Sequence, residues 1–318
     1  MTVDYDKTVE QLYTYVTEKW NKKANIKLTA TTTVSKPKYT TEDCEKVSNE
    51  PMGSYTTEFS VGSSYANRNL NIQNGAKLIN GAVVYPGEQY SCNENLYPWT
   101  EDNGWHPAGT YVDGGVQDSL GGGICQVSST LYNALLRAEI KVVKRFPHSM
   151  AVGYVPLSAD AALAGDYKDL VFENDTDAPI YVQGIYNSGG SITFNIYGHD
   201  TRKAGHSVKY ESKTVKTTPV KTQTKKDSSK PVGYSEVESS GHVGYVAELW
   251  KITYENGKQV SKELIHTSTY AMSPTIVVKG TKKASTTTKK DDSDKDDKKS
   301  SEKTTKKSTS SKKSKKSE

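Results

Sequence analysis

Hydrophobic positions recur along this chain first with a helical period, then mostly with an alternating one. In residues 5–25, Val9, Leu12, Tyr13, Val16 and Trp20 return at helical spacing and predict one amphipathic helix. Residues 26–34 read as a strand, and after Pro37 a short helix is expected near Thr40, Thr41, Glu42 and Asp43. This opening is too small for a core of its own and reads as the tail end of a larger domain.

From Tyr55 the elements become short and are punctuated by glycine and proline. Residues 67–72 lead into a short helix and residues 82–85 into a strand. Residues 99–117 read as a long Gly-rich loop with little periodicity. The clearest helix follows Gly121, Gly122 and Gly123, with Val127, Leu131, Ala134 or Leu135, and Ala138 on one face. Strands are expected at 140–143, 152–155 and 170–172. A β-hairpin is expected from 180–186 and 192–197 across Ser188, Gly189 and Gly190. The pattern predicts an α+β domain over residues 57–202, an antiparallel sheet packed on one main helix. Residues 203–230 are polar and Lys/Thr-rich and read as a linker or irregular edge strands. Beyond them, 245–254 alternate, Asn256-Gly257 supplies a tight turn and 260–266 return. Residues 231–281 thus form a small all-β module that is polar on both faces, closing with a strand at 275–278.

Composition sharpens this picture at the two ends. The 318 residues carry a net charge of +5, but the segment from Thr281 onward holds 14 lysines against 7 acidic residues. The rest of the chain is therefore slightly acidic, and nothing marks it as a nucleic-acid binder. The tail, 282–318, lacks apolar residues larger than Ala284 and is expected to be disordered. Its lysines suit adhesion to an anionic wall polymer, or simply a solubilising spacer. No run approaches the roughly 20 apolar residues that span a bilayer, and Met1 opens no signal sequence. The preferred reading is that the numbering starts after a removed signal or anchor. Cys44, Cys92 and Cys125 form no CxxC pair, which argues against structural zinc and a redox dithiol; a Cys44–Cys92 disulfide stays open.

The chemistry concentrates in the stretch Gly121-Gly-Gly-Ile-Cys-Gln-Val-Ser-Ser-Thr130. Cys125 falls where the helix begins, so unpaired amides and the positive end of the dipole favour its thiolate. The same amides suit an acyl oxyanion, and Gly122 and Gly123 let a substrate approach the backbone closely. His148 follows at a strand edge and completes a Cys–His pair suited to thiol acyl transfer. His106 is a second candidate base. A small buried thiol at a tight turn is the structural alternative for Cys125.

These motifs resemble the VanW-like family in order and spacing. The resemblance is carried by Arg68, Asn69, Asn71 and Ile72; by Pro86, Gly87, Glu88, Tyr90 and Ser91; and by the Gly121–Asn133 stretch. Arg145, His148, Ser149, Tyr154, Pro156, Asp160, Asp169, Phe172, Asn174 and Pro179 continue it. Residues 37–59 resemble the end of the peptidoglycan-binding domain that commonly precedes such domains, which assigns 1–56 to its remnant. Gly241, His242, Val243 and Gly244, then Asn256, Gly257 and Pro274, resemble a G5 domain associated with wall sugars.

The resemblance implies an extracytoplasmic protein of the Gram-positive wall, membrane-anchored when full length and linked to glycopeptide resistance. It also implies a cysteine-dependent L,D-transpeptidase that forms 3-3 crosslinks between peptidoglycan stem peptides. In that scheme Cys125 is the nucleophile and His148 the general base, oriented by Asp169 or, alternatively, Asp160. Arg68 or Arg145 would hold a stem carboxylate, and Gly122, Gly123 and Gln126 complete the expected substrate contacts. No metal or organic cofactor is required. The rival expectation is a non-catalytic peptidoglycan-binding or wall-scaffold protein, with wall glycans or anionic polymers as partners.

Overall fold

A computed structural model describes residues 1–22, 27–35, 39–112 and 115–283. The Lys/Ser-rich tail beyond residue 283, expected to be disordered, lies outside the described residues. So do residues 23–26, where the first helix was expected to end and the next strand to begin.

The chain opens with β1 (Thr2–Val3), α1 (Tyr5–Thr14), β2 (Thr32–Thr33), which pairs with β1, and α2 (Thr41–Cys44). Asp4 caps α1 through the Lys7 N–H, and a π-helical turn, Tyr15–Lys19, ends it earlier than the periodicity predicts. The expected long strand is reduced to two residues. No described residue before Met52 is buried, which agrees with a segment lacking its own core.

The body begins at β3 (Gly53–Glu58), followed by α3 (Ala66–Ile79), β4 (Ala82–Val84), β5 (Gln89–Ser91) and α4 (Cys92–Leu96). The boundary expected between 56 and 57 therefore falls inside β3. Next come β6 (Pro107–Val112), β7 (Gly115–Leu120), α5 (Ile124–Arg137), β8 (Lys141–Lys144), β9 (Val171–Glu173), β10 (Ile180–Asn187) and β11 (Ser191–Tyr197). The expected Gly-rich loop is largely the β6–β7 hairpin, whose polar sequence hid its pairing. The strand expected at 152–155 does not form; that stretch is irregular and carries site residues instead.

The main sheet runs β3-β11-β10-β4, with every pairing antiparallel. Ile192, Phe194 and Ile196 of β11, with Ile180 and Val182 of β10, alternate onto one face and are fully buried. Against that face lies α5, twelve of whose fourteen residues are buried. Val127, Leu131 and Leu135 form its apolar stripe, and α3 brings in Ile72, Ala76 and Ile79. The second sheet, β5-β9-β8, adds Phe172. The predicted architecture, one central helix against an antiparallel sheet, is the one observed.

The remaining strands are β12 (His206–Thr218), β13 (Thr222–Pro231), β14 (Ser235–Ser239), β15 (Gly244–Glu255), β16 (Lys258–Tyr270) and β17 (Thr275–Lys282). They form two three-stranded sheets, β12-β15-β16 and β13-β17-β14, with β13 and β17 parallel. Of the two readings for residues 203–230, the linker fails and irregular edge strands hold: β12 and β13 each lie at the edge of a sheet and each carries a register shift. Asn256 and Gly257 take φ of 51° and 76° in the predicted turn between β15 and β16.

Candidate active site

The glycine turn before α5 is set by close packing. A Cβ on Gly122 would meet the Ala108 carbonyl oxygen at 2.5 Å, so only glycine fits beneath β6. Gly123 takes φ +108°, a backbone geometry that other residues rarely adopt. Buried Asn71 of α3 ties the turn down: its amide donates to the carbonyls of Gly122 and His106, both at 2.9 Å, and its Oδ1 accepts the His106 N–H at 2.8 Å.

Cys125 then sits in the first turn of α5, as predicted. Not all first-turn amides are open: Ile124 N–H donates to Gly121 O at 2.9 Å and Gln126 N–H to Gly123 O at 3.0 Å. The polar face of α5 holds the irregular segment after β8 against the thiol. Ser128 Oγ donates to Ala161 O at 2.7 Å, Ser129 Oγ accepts the Ala161 N–H at 2.9 Å, and Asn133 donates to Ala159 O at 2.7 Å. Leu163 N–H, in turn, donates to Cys125 Sγ at 3.4 Å.

His148 and Asp160 complete a line from the thiol inward. Nδ1–H of His148 donates to Asp160 Oδ2 at 2.6 Å, and the His148 backbone N–H donates to the same oxygen at 2.7 Å. That leaves Nε2 free of Asp160, on the cleft that Cys125 also lines, where the imidazole favours ionisation of the thiol. The Tyr154 hydroxyl lies 3.4 Å from Nε2. Asp160 Oδ1 accepts from Arg145 at 2.7 Å and from the Tyr270 hydroxyl at 2.5 Å. The carboxylate is 1 % exposed and the imidazole 10 %.

The charges follow from these contacts. Burial pushes the Cys125 thiol up, but the His148 hydrogen bond and charge and the Leu163 N–H outweigh it, so the thiol lies below its ordinary value. Burial pulls His148 down, yet the bonds to Asp160 and Cys125 raise it to about 9. Burial opposes ionisation of Asp160, but His148 and Arg145 hold it well below the usual carboxylate range. The arrangement favours a thiolate–imidazolium pair backed by a permanent carboxylate. Among the described residues, no group of three or more His, Cys, Asp or Glu side chains is placed to hold a metal ion.

The thiol opens into a cleft of about 820 Å³ whose lining includes Arg68, Trp99, Gly123, Tyr154, Leu163 and Lys168. Several sequence expectations meet here and others do not. Arg68 lines the cleft as expected, its guanidinium donating to Gln126 Oε1 at 2.7 Å. Gln126 also borders the cleft, but its side chain is buried and donates to Thr57 Oγ1 and Glu58 O, so it anchors Arg68 and β3. Gly123 borders the cleft, whereas Gly122 is packed beneath Ala108 and serves the turn. Arg145 is not a substrate contact: 7 % exposed, it is committed to Asp160, Ser158 and Ser268.

Asp169 does not orient His148. It accepts from Ser91 Oγ at 2.7 Å and from the Asn93 N–H at 3.0 Å, capping the start of α4, and Asp160 takes the orienting place. Asp169 begins the Asp-Leu-x-Phe stretch entering β9, and β9 pairs with β5 beside that cap. His106, the second candidate base, serves the turn through its backbone. All three cysteines are free, Cys44 exposed and Cys92 buried, so the disulfide left open does not form. Sequence reasoning missed Tyr154, Ser128, Ser129 and Asn133 as site supports, and His266 and Tyr270 from the second domain. Tyr154 and the serines stood inside the quoted motifs; nothing local pointed to the last two.

Fold and site together define an α+β domain bearing a Cys–His–Asp line, joined to an all-β module. Residues 67–197 match the VanW like protein family and residues 209–282 the G5 domain family; the chain carries a VanW-like domain followed by a G5 domain. It is 37 % identical over 164 residues to the uncharacterized protein YoaR of Bacillus subtilis (strain 168), covering 52 % of this chain and 53 % of that one. It is 28 % identical over 116 residues to the vancomycin B-type resistance protein VanW of Enterococcus faecalis (strain ATCC 700802 / V583), covering 35 % and 42 %. The chain thus spans about half the length of these curated relatives. Among solved structures, an IgA1 protease G5 domain shares 30 % identity over 26 % of this chain and 96 % of its own, at a TM-score of 0.20. The two domain families indicate a cell-wall-associated extracellular protein.

Proposed function

We propose that this protein is a cysteine-dependent acyltransferase of peptidoglycan, an L,D-transpeptidase that forms 3-3 crosslinks between stem peptides. The observation that carries the reading is the alignment of Cys125, His148 and Asp160 at the wall of a cleft large enough for a peptide.

The thiolate sulfur attacks the carbonyl carbon of the donor stem's L,D bond. The oxyanion forms beside the start of α5, where the Cys125 amide lies between two engaged donors. His148 gives its Nε2 proton to the departing D-alanine nitrogen, leaving a thioester on Cys125. The acceptor stem's side-chain amine then attacks that carbonyl, its proton passes to Nε2, and sulfur leaves as thiolate. Asp160 keeps the imidazole in register through both proton transfers. Arg68 and Lys168, both on the cleft, suit stem carboxylates. The G5 domain suits engagement of wall glycan, and the vancomycin-resistance relative supports a place in glycopeptide resistance.

Mass spectrometry of muropeptides after incubation with tetrapeptide substrate, beside a Cys125→Ala control, tests the reading. Crosslinked dimers that vanish in the control are expected. D-alanine release without dimers would instead indicate a hydrolase, and neither product from folded, reduced protein would favour a wall-binding scaffold.

A further inference from the structure

The carboxylate of Asp160 is held from two domains. Its Oδ2 accepts twice from His148, and its Oδ1 accepts from Arg145 and from Tyr270. Tyr270 ends β16 of the G5 domain and is 3 % exposed. Four donors therefore surround one buried carboxylate, and rotating it breaks at least one charge-assisted bond.

The hold extends to the turn that delivers Asp160. Ser158, two residues earlier, takes φ +68°, a left-handed conformation uncommon for serine. Its N–H donates to the Tyr270 hydroxyl at 2.6 Å, and its own hydroxyl lies 2.8 Å from Ser268 Oγ and 3.0 Å from His266 Nδ1. His266, Ser268 and Tyr270 alternate along β16 and so share one face, turned to the VanW-like domain. Ser268 Oγ also accepts from Arg145 at 2.9 Å, and His266 Nε2 meets the Tyr132 hydroxyl of α5 at 2.8 Å. One residue on, the Ala271 N–H donates to Ser149 O at 2.6 Å, beside His148.

We infer that the G5 domain is a working part of the thiol site, with the buried face of β16 fixing the Asp160 turn and Tyr270 as its positioning residue. The VanW-like domain supplies nucleophile, base and carboxylate, but the conformation that aims the carboxylate is completed from the other domain. Tyr270 touches no substrate; it acts through Asp160. The inference rests on the triad of the acyl-transfer reading, yet its test does not require a stem peptide.

The test is alkylation of Cys125 by iodoacetamide in the full chain, followed from pH 4 to 10 by mass spectrometry of the Cys125 peptide. Tyr270→Phe keeps the ring in place and removes both hydroxyl bonds. Arg145 still neutralises Asp160, so the main loss is geometric: the carboxylate and the Ser158 turn are free to shift from His148. The expected result is a pH–rate profile displaced upward by up to about one unit, and labelling at pH 6 slowed about five- to ten-fold. Lys262→Ala, on the exposed part of the same strand, should label as the unsubstituted protein does. A purely structural role for Tyr270 would lower the melting temperature and leave the profile unmoved. Folded Tyr270→Phe that labels as fast as the unsubstituted protein, or faster, overturns the inference. Should that variant not fold, Ser268→Ala removes contacts to Ser158 and Arg145 and is read by the same criterion. A chain without transpeptidation whose thiol profile still shifts with Tyr270 sinks the enzymatic reading alone.

Discussion

Nδ1 of His148 lies 2.6 Å from Oδ2 of Asp160, and the same oxygen accepts the His148 backbone N–H at 2.7 Å. Two bonds to one oxygen fix both the ring and the main chain that carries it. With Nδ1 occupied, only Nε2 is left for the thiol, so in the proposed acyl transfer this contact decides which proton moves.

His148 is raised to about 9 and the Cys125 thiol lies below its ordinary value, so a larger thiolate fraction than in a free cysteine is expected at neutral pH. Cys125 is expected to react with iodoacetamide at pH 7 faster than a model thiol. His148→Ala should slow that rate at least about ten-fold. Cys92, fully buried with its thiol pushed up by that burial, should label only on unfolding. Native-state labelling that finds Cys125 as slow as Cys92 would place Cys125 among structural thiols.

The two aspartates separate by role. Asp160→Asn should reduce thiol reactivity at pH 7, and with it the proposed acyl transfer, since the amide cannot hold the imidazolium as a carboxylate does. Asp169→Asn should leave labelling unchanged and cost about 1 kcal/mol through the weakened cap of α4, seen as a lower denaturant midpoint. Loss of reactivity in the Asp169 variant would return the orienting role to that residue.

Acid should destabilise the fold in two windows. His266, kept neutral chiefly by burial, falls to about 4, whereas an unfolded histidine titrates near 6.5. Its contribution is complete above about 6.5 and is lost as pH falls from there to about 4, on the order of 3 kcal/mol at most. Asp160 is held below the ordinary carboxylate range, so its contribution is present above about 4 and is lost only at lower pH. Melting temperature against pH should flatten between 6.5 and 4 in His266→Gln, and below 4 in Asp160→Asn. Variant curves parallel to the unsubstituted one would contradict both assignments.

Gly122→Ala should destabilise by about 1–3 kcal/mol, because its Cβ would meet the Ala108 carbonyl oxygen at 2.5 Å and carbon at 2.6 Å. Thermal denaturation reads this directly. An unchanged melting temperature would mean that β6 yields freely and that the turn is not set by packing.

Elements whose signals are local were legible in the order of residues. Alternation of Ile192, Phe194 and Ile196 and the helical stripe of Val127, Leu131 and Leu135 specified the hairpin, the central helix and their facing sides. The glycine run before Cys125 placed the thiol at the helix start, since its φ and packing demands are written in residue type. Tertiary structure alone decided which aspartate serves His148: Asp160 and Asp169 are alike in local sequence chemistry, and only the packing of residues 159–163 on Ser128, Ser129 and Asn133 separates them. It also chose between linker and edge strands for residues 203–230: β12 and β13 form because β15 and β17 are there to pair with them. The reach of His266, Ser268 and Tyr270 to Ser158 and Asp160 spans more than a hundred residues, so no local pattern encodes it; it exists only once two domains dock.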